Sequence, residues 1–252
     1  MNGYALTKNR NKEKAVCIVS GGLDSICTAA YIKKQNYELY LISFLYGQKS
    51  LQEIKKAKEF AKIFGVKDHK IIDISFMKHL YGKTNVLTFD NKKRLPTSFQ
   101  YDIVVPIRNA IFITIAAAWA MSIGAKLVGY GAHSGDKNYP DCRPEFVRSI
   151  TDTLNMAEID GIKLGVREKI QVWSPAIDGL DKSDLLKKGY EILGNLIFKT
   201  WSCYSNGAKK ASGNSKEKIK IQFLHCGKCE SCINRRNAFN IARIEDKTRY
   251  AR

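Results

Sequence analysis

Short apolar runs alternate with longer amphipathic segments along most of this 252-residue chain. Ala15 to Val19, Leu39 to Leu45, Lys70 to Ile74, Leu127 to Gly131 and a stretch near Lys169 to Trp173 are bounded by turn formers and too short for buried helices, which predicts strands. Between them the period lengthens. In Leu51 to Phe64 the apolar residues Ile54, Ala57, Ala61 and Phe64 share one helical face, and Gly65 supplies the stop. Helices are also predicted after Ser25, over Ala110 to Ile123, from Pro144 to about Met156 and over Lys182 to Leu193. The segment from Ala110 lacks a polar face and is expected to be buried. Strand and helix in alternation imply an α/β fold, a doubly wound parallel sheet of Rossmann-like type with helices on both faces.

The pattern breaks in three places. Residues 1–14 are polar and basic and are expected to form a flexible arm, with the α/β domain over 15–198. From Phe76 to Tyr101 the chain is Lys-rich, with Gly82 and Pro96, as in an active-site loop or mobile flap. Residues 199–252 carry four cysteines and a helical tail.

Composition adds charge and thiols to this picture. The 42 basic and 24 acidic residues give +18 at pH 7, an argument about anionic partners and not about fold. The basic residues are spread in small runs, including Lys92-Lys93-Arg94 and Lys209-Lys210, for which solvated surface is the default and RNA contact the sharper alternative. No apolar signal-type region precedes the first strand, and no uninterrupted apolar run approaches the roughly 20 residues that span a bilayer. A cytoplasmic protein without a membrane partner is therefore expected. Seven cysteines, an odd number, argue against a disulfide framework. Cys226, Cys229 and Cys232 form Cys-x-x-Cys-x-x-Cys, and with Cys203 they make the usual four-thiolate set of a structural zinc site. An iron–sulfur cluster could use the same residues, and His225 could stand in for Cys203. The basic insert around Lys209 to Lys216 is expected to be a flexible loop. Cys17 and Cys27 fall in apolar elements as core residues, while Cys142 could be packed or reactive. His69, His79 and His133 are single.

The stretch Val19-Ser20-Gly21-Gly22-Leu23-Asp24-Ser25 lies between the first strand and its helix, where unpaired backbone N–H groups and the helix dipole favour an anion. Such a turn is common in any α/β protein, and this one lacks the spacing and lysine of a Walker A loop. Asp24 would cap the helix or meet a phosphate-bound magnesium. The block from Asp136 to Phe146 follows a strand's carboxyl end, where open sheets bind ligands.

Ser-Gly-Gly-x-Asp-Ser after a first strand resembles the pyrophosphate-binding loop of the ATP pyrophosphatase (PP-loop) superfamily. With Tyr46-Gly47-Gln48, Val105-Pro106-Ile107-Arg108-Asn109, Tyr139-Pro140-Asp141-Cys142-Arg143-Pro144-Glu145-Phe146, Thr200-Trp201-Ser202-Cys203-Tyr204 and the cysteine set, the chain from about Lys14 to Arg243 resembles the 7-cyano-7-deazaguanine synthases. It departs from them in a longer spacing between Cys203 and Cys226 and in His133-Ser134-Gly135 before Asp136. The resemblance implies an adenine-nucleotide α-hydrolase-like fold with a C-terminal zinc-binding extension. It further implies a carbon–nitrogen ligase that uses ATP and Mg2+ to convert 7-carboxy-7-deazaguanine and ammonia into the nitrile, through adenylated carboxylate and amide, for queuosine or archaeosine in tRNA. Homodimers are implied, and nucleic acid is not required. Val19, Ser20, Gly21, Gly22, Leu23, Asp24, Ser25, Tyr46, Gln48 and Lys182 are the candidates for holding ATP, although a surface position is the default for Lys182. Arg108, Asn109, Asp136, Tyr139, Asp141, Arg143 and Glu145 are those for the acid, with Asp24, Arg108 and Arg143 for catalysis. Cys203, Cys226, Cys229 and Cys232 would hold structural Zn2+. The alternatives are a related enzyme joining the acid to another amine, a tRNA-modifying relative, and a zinc-knuckle nucleic-acid-binding module on an inactive nucleotide fold.

Overall fold

The computed structural model describes residues 12–82, 85–88, 95–212 and 220–251. The expected N-terminal arm, save its last three residues, and the Lys92–Arg94 run lie outside them.

Strand β1 (Lys14–Ile18) leads through the Gly-Gly turn into α1 (Leu23–Lys34), followed by β2 (Glu38–Leu45), α2 (Gln52–Phe64) and β3 (His69–Asp73). A short α3 (Met77–Tyr81) precedes α4 (Arg108–Ser122), β4 (Leu127–Gly129), α5 (Pro144–Ala157), α6 (Ile159–Lys163), β5 (Gln171–Trp173) and α7 (Lys182–Leu193). The strands pair in parallel in the order β3-β2-β1-β4-β5. Alternation along β1 divides the core: Val16 faces a layer with α4 and α5 residues such as Ile113, Ala117 and Val147, while Ala15 and Cys17 face α1 and α2 through Ile26, Ala29, Ala57 and Phe60. The sheet is thus doubly wound, as expected. The chain leaves β1 in one direction for β2 and β3 and returns on the other side for β4 and β5. The strand order therefore reverses between β1 and β4, and open sheets bind ligands at such a point.

Helix α4 departs from expectation. It buries Ile113, Ala116, Ala117, Ala120 and Met121, but Thr114, Ala118 and Ser122 are exposed, so one face meets solvent despite its apolar sequence. Tyr101–Ser122 is apolar enough by composition to cross a membrane, yet only the 15 residues of α4 in it are α-helical, and they pack on β1 and β4.

After α7, a 3-10 segment (Gly194–Lys199) leads to the four-cysteine extension. Its insert is not simply a loop: β6 (Ala208–Ser212) and β7 (Lys220–Leu224) pair antiparallel, with the tip outside the described residues. The final helix, α8 (Glu230–Ala242), packs Ala238, Phe239 and Ala242 against Leu185 and Leu186 of α7 and Leu23 and Cys27 of α1. Arg235 of α8 is wholly buried and donates to Thr248 Oγ1 (3.0 Å), Thr200 Oγ1 (2.8 Å) and Ser202 Oγ (3.0 Å) within the extension, and to the Ile197 carbonyl (3.4 Å) at the end of the sheet domain.

Candidate active site

At the switch point lies an open cavity of about 270 Å³. Its floor is the turn after β1. Gly21 has φ +91°, and a Cβ there would meet the Glu53 carbonyl at 2.3 Å, so only glycine serves. Opposite, a Cβ on Gly131 would come within 2.7 Å of the Ser25 nitrogen, so this glycine lets the start of α1 nest against the chain leaving β4. The serines tie the turn together: the Ser20 N–H reaches Ser25 Oγ (3.2 Å), the Gly22 N–H reaches Ser20 Oγ (3.2 Å), and Ser25 Oγ donates to the Gly22 carbonyl (3.1 Å). Gly22 is the N-cap of α1, and no side chain among the described residues caps it. The first-turn N–H groups of α1 keep the polarity that draws an anion. Val19, buried at the strand's end, and Leu23 complete the turn.

Asp24 is not the helix cap that was one of its two expected roles. Its Oδ2 accepts from Lys182 Nζ at 2.7 Å, while Oδ1 is buried without a partner among the described residues. Burial opposes its charge, but Lys182, His133 and Arg235 outweigh burial and hold the carboxyl below the usual range. Lys182 is likewise not a solvated surface residue. A capping box starts α7, with Asp181 Oδ1 accepting the Ser183 and Asp184 N–H groups (2.7 and 2.9 Å), and this sets Lys182 on the first turn facing α1. Burial would lower its pKa, but Asp24 and Asp136 raise it on balance, so it stays an ammonium.

Arg108 enters from the first turn of α4, its guanidinium 5.7 Å from the centre of the Tyr46 ring. Burial works against its charge, yet Tyr46 and Asp141 more than compensate and raise its pKa. The residue before it, Ile107, sits in the left-handed region at φ 48°, an uncommon conformation for a β-branched side chain. Gln48 lines the cavity while closing the end of β2, accepting the Tyr46 N–H (2.8 Å) and donating to the Phe44 carbonyl (3.0 Å).

The other wall comes from later chain. Asn109, Asp136 and Tyr139 reach the cavity. Asp136 accepts the His133 N–H (3.2 Å) and lies 3.5 Å from His133 Nε2, and burial raises its pKa. An adjoining cavity of about 530 Å³ shares Asp136, Tyr139, Lys182, Glu230 and Asn234 with the first. Three expected residues are not brought in. The exposed Arg143 folds over its own loop, with Nε and Nη2 on the Lys137 carbonyl (3.3 and 3.0 Å). Glu145 is exposed on the first turn of α5. The Asp141 carboxylate accepts the Asn109 N–H (3.2 Å) and so caps α4 in place of facing the cavity. Cys142 is packed beside them, its thiol pushed up by burial, which disfavours the reactive alternative.

The four cysteine sulfurs all lie within 4.8 Å of one another, and Cys226 and Cys232 are 3.9 Å apart. Sulfurs about 2.3 Å from one tetrahedral ion would be separated by about 3.8 Å. The donor set therefore fits a single metal ion. His225 is not part of it: its Nε2 accepts the Ser202 N–H (3.1 Å), and its ring lies 4.4 Å from that of Trp201.

Two cavity carboxylates escaped the sequence reading. Glu230 directly follows Cys229 and is buried, with Tyr204 Oη donating to it at 2.8 Å and Asn234 also bonded. Glu53, in the first turn of α2, faces the cavity beneath the Gly-Gly turn. The available signal was position alone: one lies a single residue past a metal ligand, the other five past the Tyr46-Gly47-Gln48 strand end.

Comparison with known proteins agrees with this architecture. Residues 14–243 match the model of the family described as queuosine biosynthesis protein QueC. The 7-cyano-7-deazaguanine synthase of Caldicellulosiruptor bescii is 37% identical over 243 residues, covering 94% of this chain and 97% of that one. That of Psychromonas ingrahamii is 37% identical over 243 residues, covering 94% and 98%, and that of Rickettsia conorii 34% over 245, covering 95% and 99%. With a family match over most of its length and relatives of this identity, the chain belongs to the QueC family of queuosine biosynthesis proteins.

Proposed function

We propose that this protein is an ATP-dependent carbon–nitrogen ligase that converts 7-carboxy-7-deazaguanine and ammonia into 7-cyano-7-deazaguanine. The observation that carries the reading is that one cavity combines an anion-binding turn with carboxylates suited to a guanine-like edge. The turn of Ser20 to Ser25 seats pyrophosphate on the N–H groups of Gly21 and Leu23, and on that of Gly22 once phosphate oxygen replaces Ser20 Oγ as its acceptor, helped by the serine hydroxyls. Lys182 and Arg108 offset phosphate charge. The unpartnered Asp24 Oδ1 fits a magnesium ligand, and that ion would neutralise the phosphates. Asp136 and Glu230 can accept from the N–H edge of the base, with Tyr139 and Asn109 beside them. Arg143, bound to its own loop, serves to hold that loop.

A carboxylate resists ammonia because its oxygen is too poor a leaving group. Attack of that oxygen on the α-phosphate of ATP releases pyrophosphate and leaves AMP as the leaving group. Ammonia then displaces AMP to give the amide, and a second adenylation on the amide oxygen permits loss of AMP to the nitrile. Zinc is the ion we assign to Cys203, Cys226, Cys229 and Cys232. An iron–sulfur cluster interposes several atoms between its thiolates, whereas these sulfurs converge on one point. The same proposal places the enzyme in the cytoplasm as a homodimer, supplying queuosine or archaeosine precursors to tRNA without binding nucleic acid itself. Incubation with the acid, ammonium and ATP should yield nitrile, amide and AMP by mass spectrometry, and release of ADP in place of AMP would overturn the adenylation chemistry.

A further inference from the structure

Four carboxyls line the cavity: Asp24, Glu53, Asp136 and Glu230. Three already have donors, in Lys182, the His133 N–H, and Tyr204 with Asn234. Glu53 has no hydrogen-bond donor among the described residues. Three residues earlier, in the segment that enters α2, Ser50 also lines the cavity, and its hydroxyl is buried without a partner among the described residues. A carboxyl without a donor and an orphaned hydroxyl thus line one cavity, three residues apart at the start of α2 and beneath the loop that would hold pyrophosphate, and this polar recess calls for a ligand rich in N–H groups.

We infer that this recess receives the nitrogen nucleophile, Glu53 binding ammonium and taking one proton from it. The inference rests on the carboxylate-activation reading above. Ammonium has no lone pair, so it cannot attack until it loses a proton. The Glu53 carboxylate accepts that proton. The freed lone pair forms the C–N bond while the bond from carbon to the AMP oxygen breaks, its electron pair leaving with AMP. The attached nitrogen then gives a second proton to solvent, leaving the two hydrogens of the amide, and Glu53 returns its own proton to solvent. The surroundings suit the task. Burial raises the Glu53 carboxyl, with Arg108 opposing, so it is better matched to ammonium than an exposed glutamate. The Arg108 guanidinium disfavours a second cation beside it and so favours release as ammonia.

The test is Glu53→Gln assayed with two nucleophiles. Hydroxylamine is largely unprotonated near neutral pH and needs no base to free its lone pair. The variant should lose about a hundredfold in kcat/KM for ammonium but less than about tenfold for hydroxylamine, which gives the hydroxamate. Acid-dependent exchange of pyrophosphate into ATP precedes the nucleophile and should stay within about threefold of wild type. Glu53→Asp, which keeps the carboxylate, should recover part of the ammonium reaction. Equal losses with both nucleophiles, a parallel fall in exchange, or unchanged ammonium kinetics would overturn the assignment. Absence of exchange in the wild type would instead sink the activation reading, and this inference with it.

Discussion

The turn of Ser20 to Ser25 hangs from β1, a strand paired on both sides, whereas Tyr204 and Glu230 reach the same cavity from a segment with no strand in the main sheet. On the first wall, position is set by backbone pairing, by glycines that allow close approach, and by a helix start. On the second, it is set by converging thiols and a buried arginine. The Trp201 N–H on the Gly21 carbonyl (2.8 Å) and the Glu230 N–H on the Pro96 carbonyl (2.9 Å) are backbone links from the second wall to the rest. The same cavity thus has a side that the sheet builds unaided and a side that needs a cross-link.

The comparison breaks most sharply if the cross-link is cut. In Cys232→Ser the metal should be lost and kcat/KM should fall more than about a thousandfold, since Glu230 and Tyr204 are then unplaced. Hydrogen exchange should show 199–212 and 220–251 losing protection while β1, β2 and β4 keep theirs. Uniform loss of protection would show that the two walls fold as one unit. A smaller effect is expected from Arg235→Met. It removes a fully buried cation and leaves the hydroxyls of Thr200, Ser202 and Thr248 without their donor, costing about 3 kcal/mol. For a chain of this size that corresponds to a melting temperature lower by roughly 6–12 °C.

Next comes the first wall. Asp24→Asn should lower kcat by about a hundredfold, because it removes the charge that faces Lys182 and would hold magnesium. Its melting temperature should shift by no more than a few degrees, since the sheet and not the ion pair holds the turn in place. If stability collapsed with activity, the turn would depend on Asp24 for its shape, and the contrast with the second wall would fade.

The two walls also differ in how far sequence could reveal them. Periodicity foretold the sheet domain well: Lys182 to Leu193 is the helix observed, and Lys70 to Ile74 is displaced by a single residue from the strand His69–Asp73. These elements bury regular faces, and a regular face leaves a regular pattern. The turn after β1 was equally visible because its glycines answer to local backbone geometry. The second wall depends on distant partners. Glu230 there, like Lys182 and Glu53 beside the first wall, looks like a solvated position until the sheet's carboxyl edge and the start of α8 are placed in space. Arg143 and Glu145 fail in the opposite direction: they belong to a suggestive block, but the 3-10 turn at Pro140–Cys142 and the start of α5 leave both exposed. In α4, apolar composition suggested full burial because nothing in the sequence says that only one of its faces meets the sheet.

The smallest effect concerns stability against pH at Glu53, beneath the first wall. Its carboxyl is raised from an ordinary value of 4.5 to about 8, so the fold prefers it protonated. For an acid shifted upward, the stabilisation is complete below about 4.5 and is lost as pH rises through about 8, where the folded chain must bury the charge. Glu53→Gln cannot ionise. It should match wild type near the acid end of the folded range and exceed it on the alkaline side by on the order of 2 kcal/mol, a gain of roughly 4–8 °C in melting temperature. A catalytic carboxyl kept at the cost of stability should show that trade, with the variant more stable and less active. Melting curves of the two proteins across this range decide it. Parallel curves would mean that Glu53 carries the same charge folded and unfolded, and that the recess beneath the turn is wetter than its burial implies.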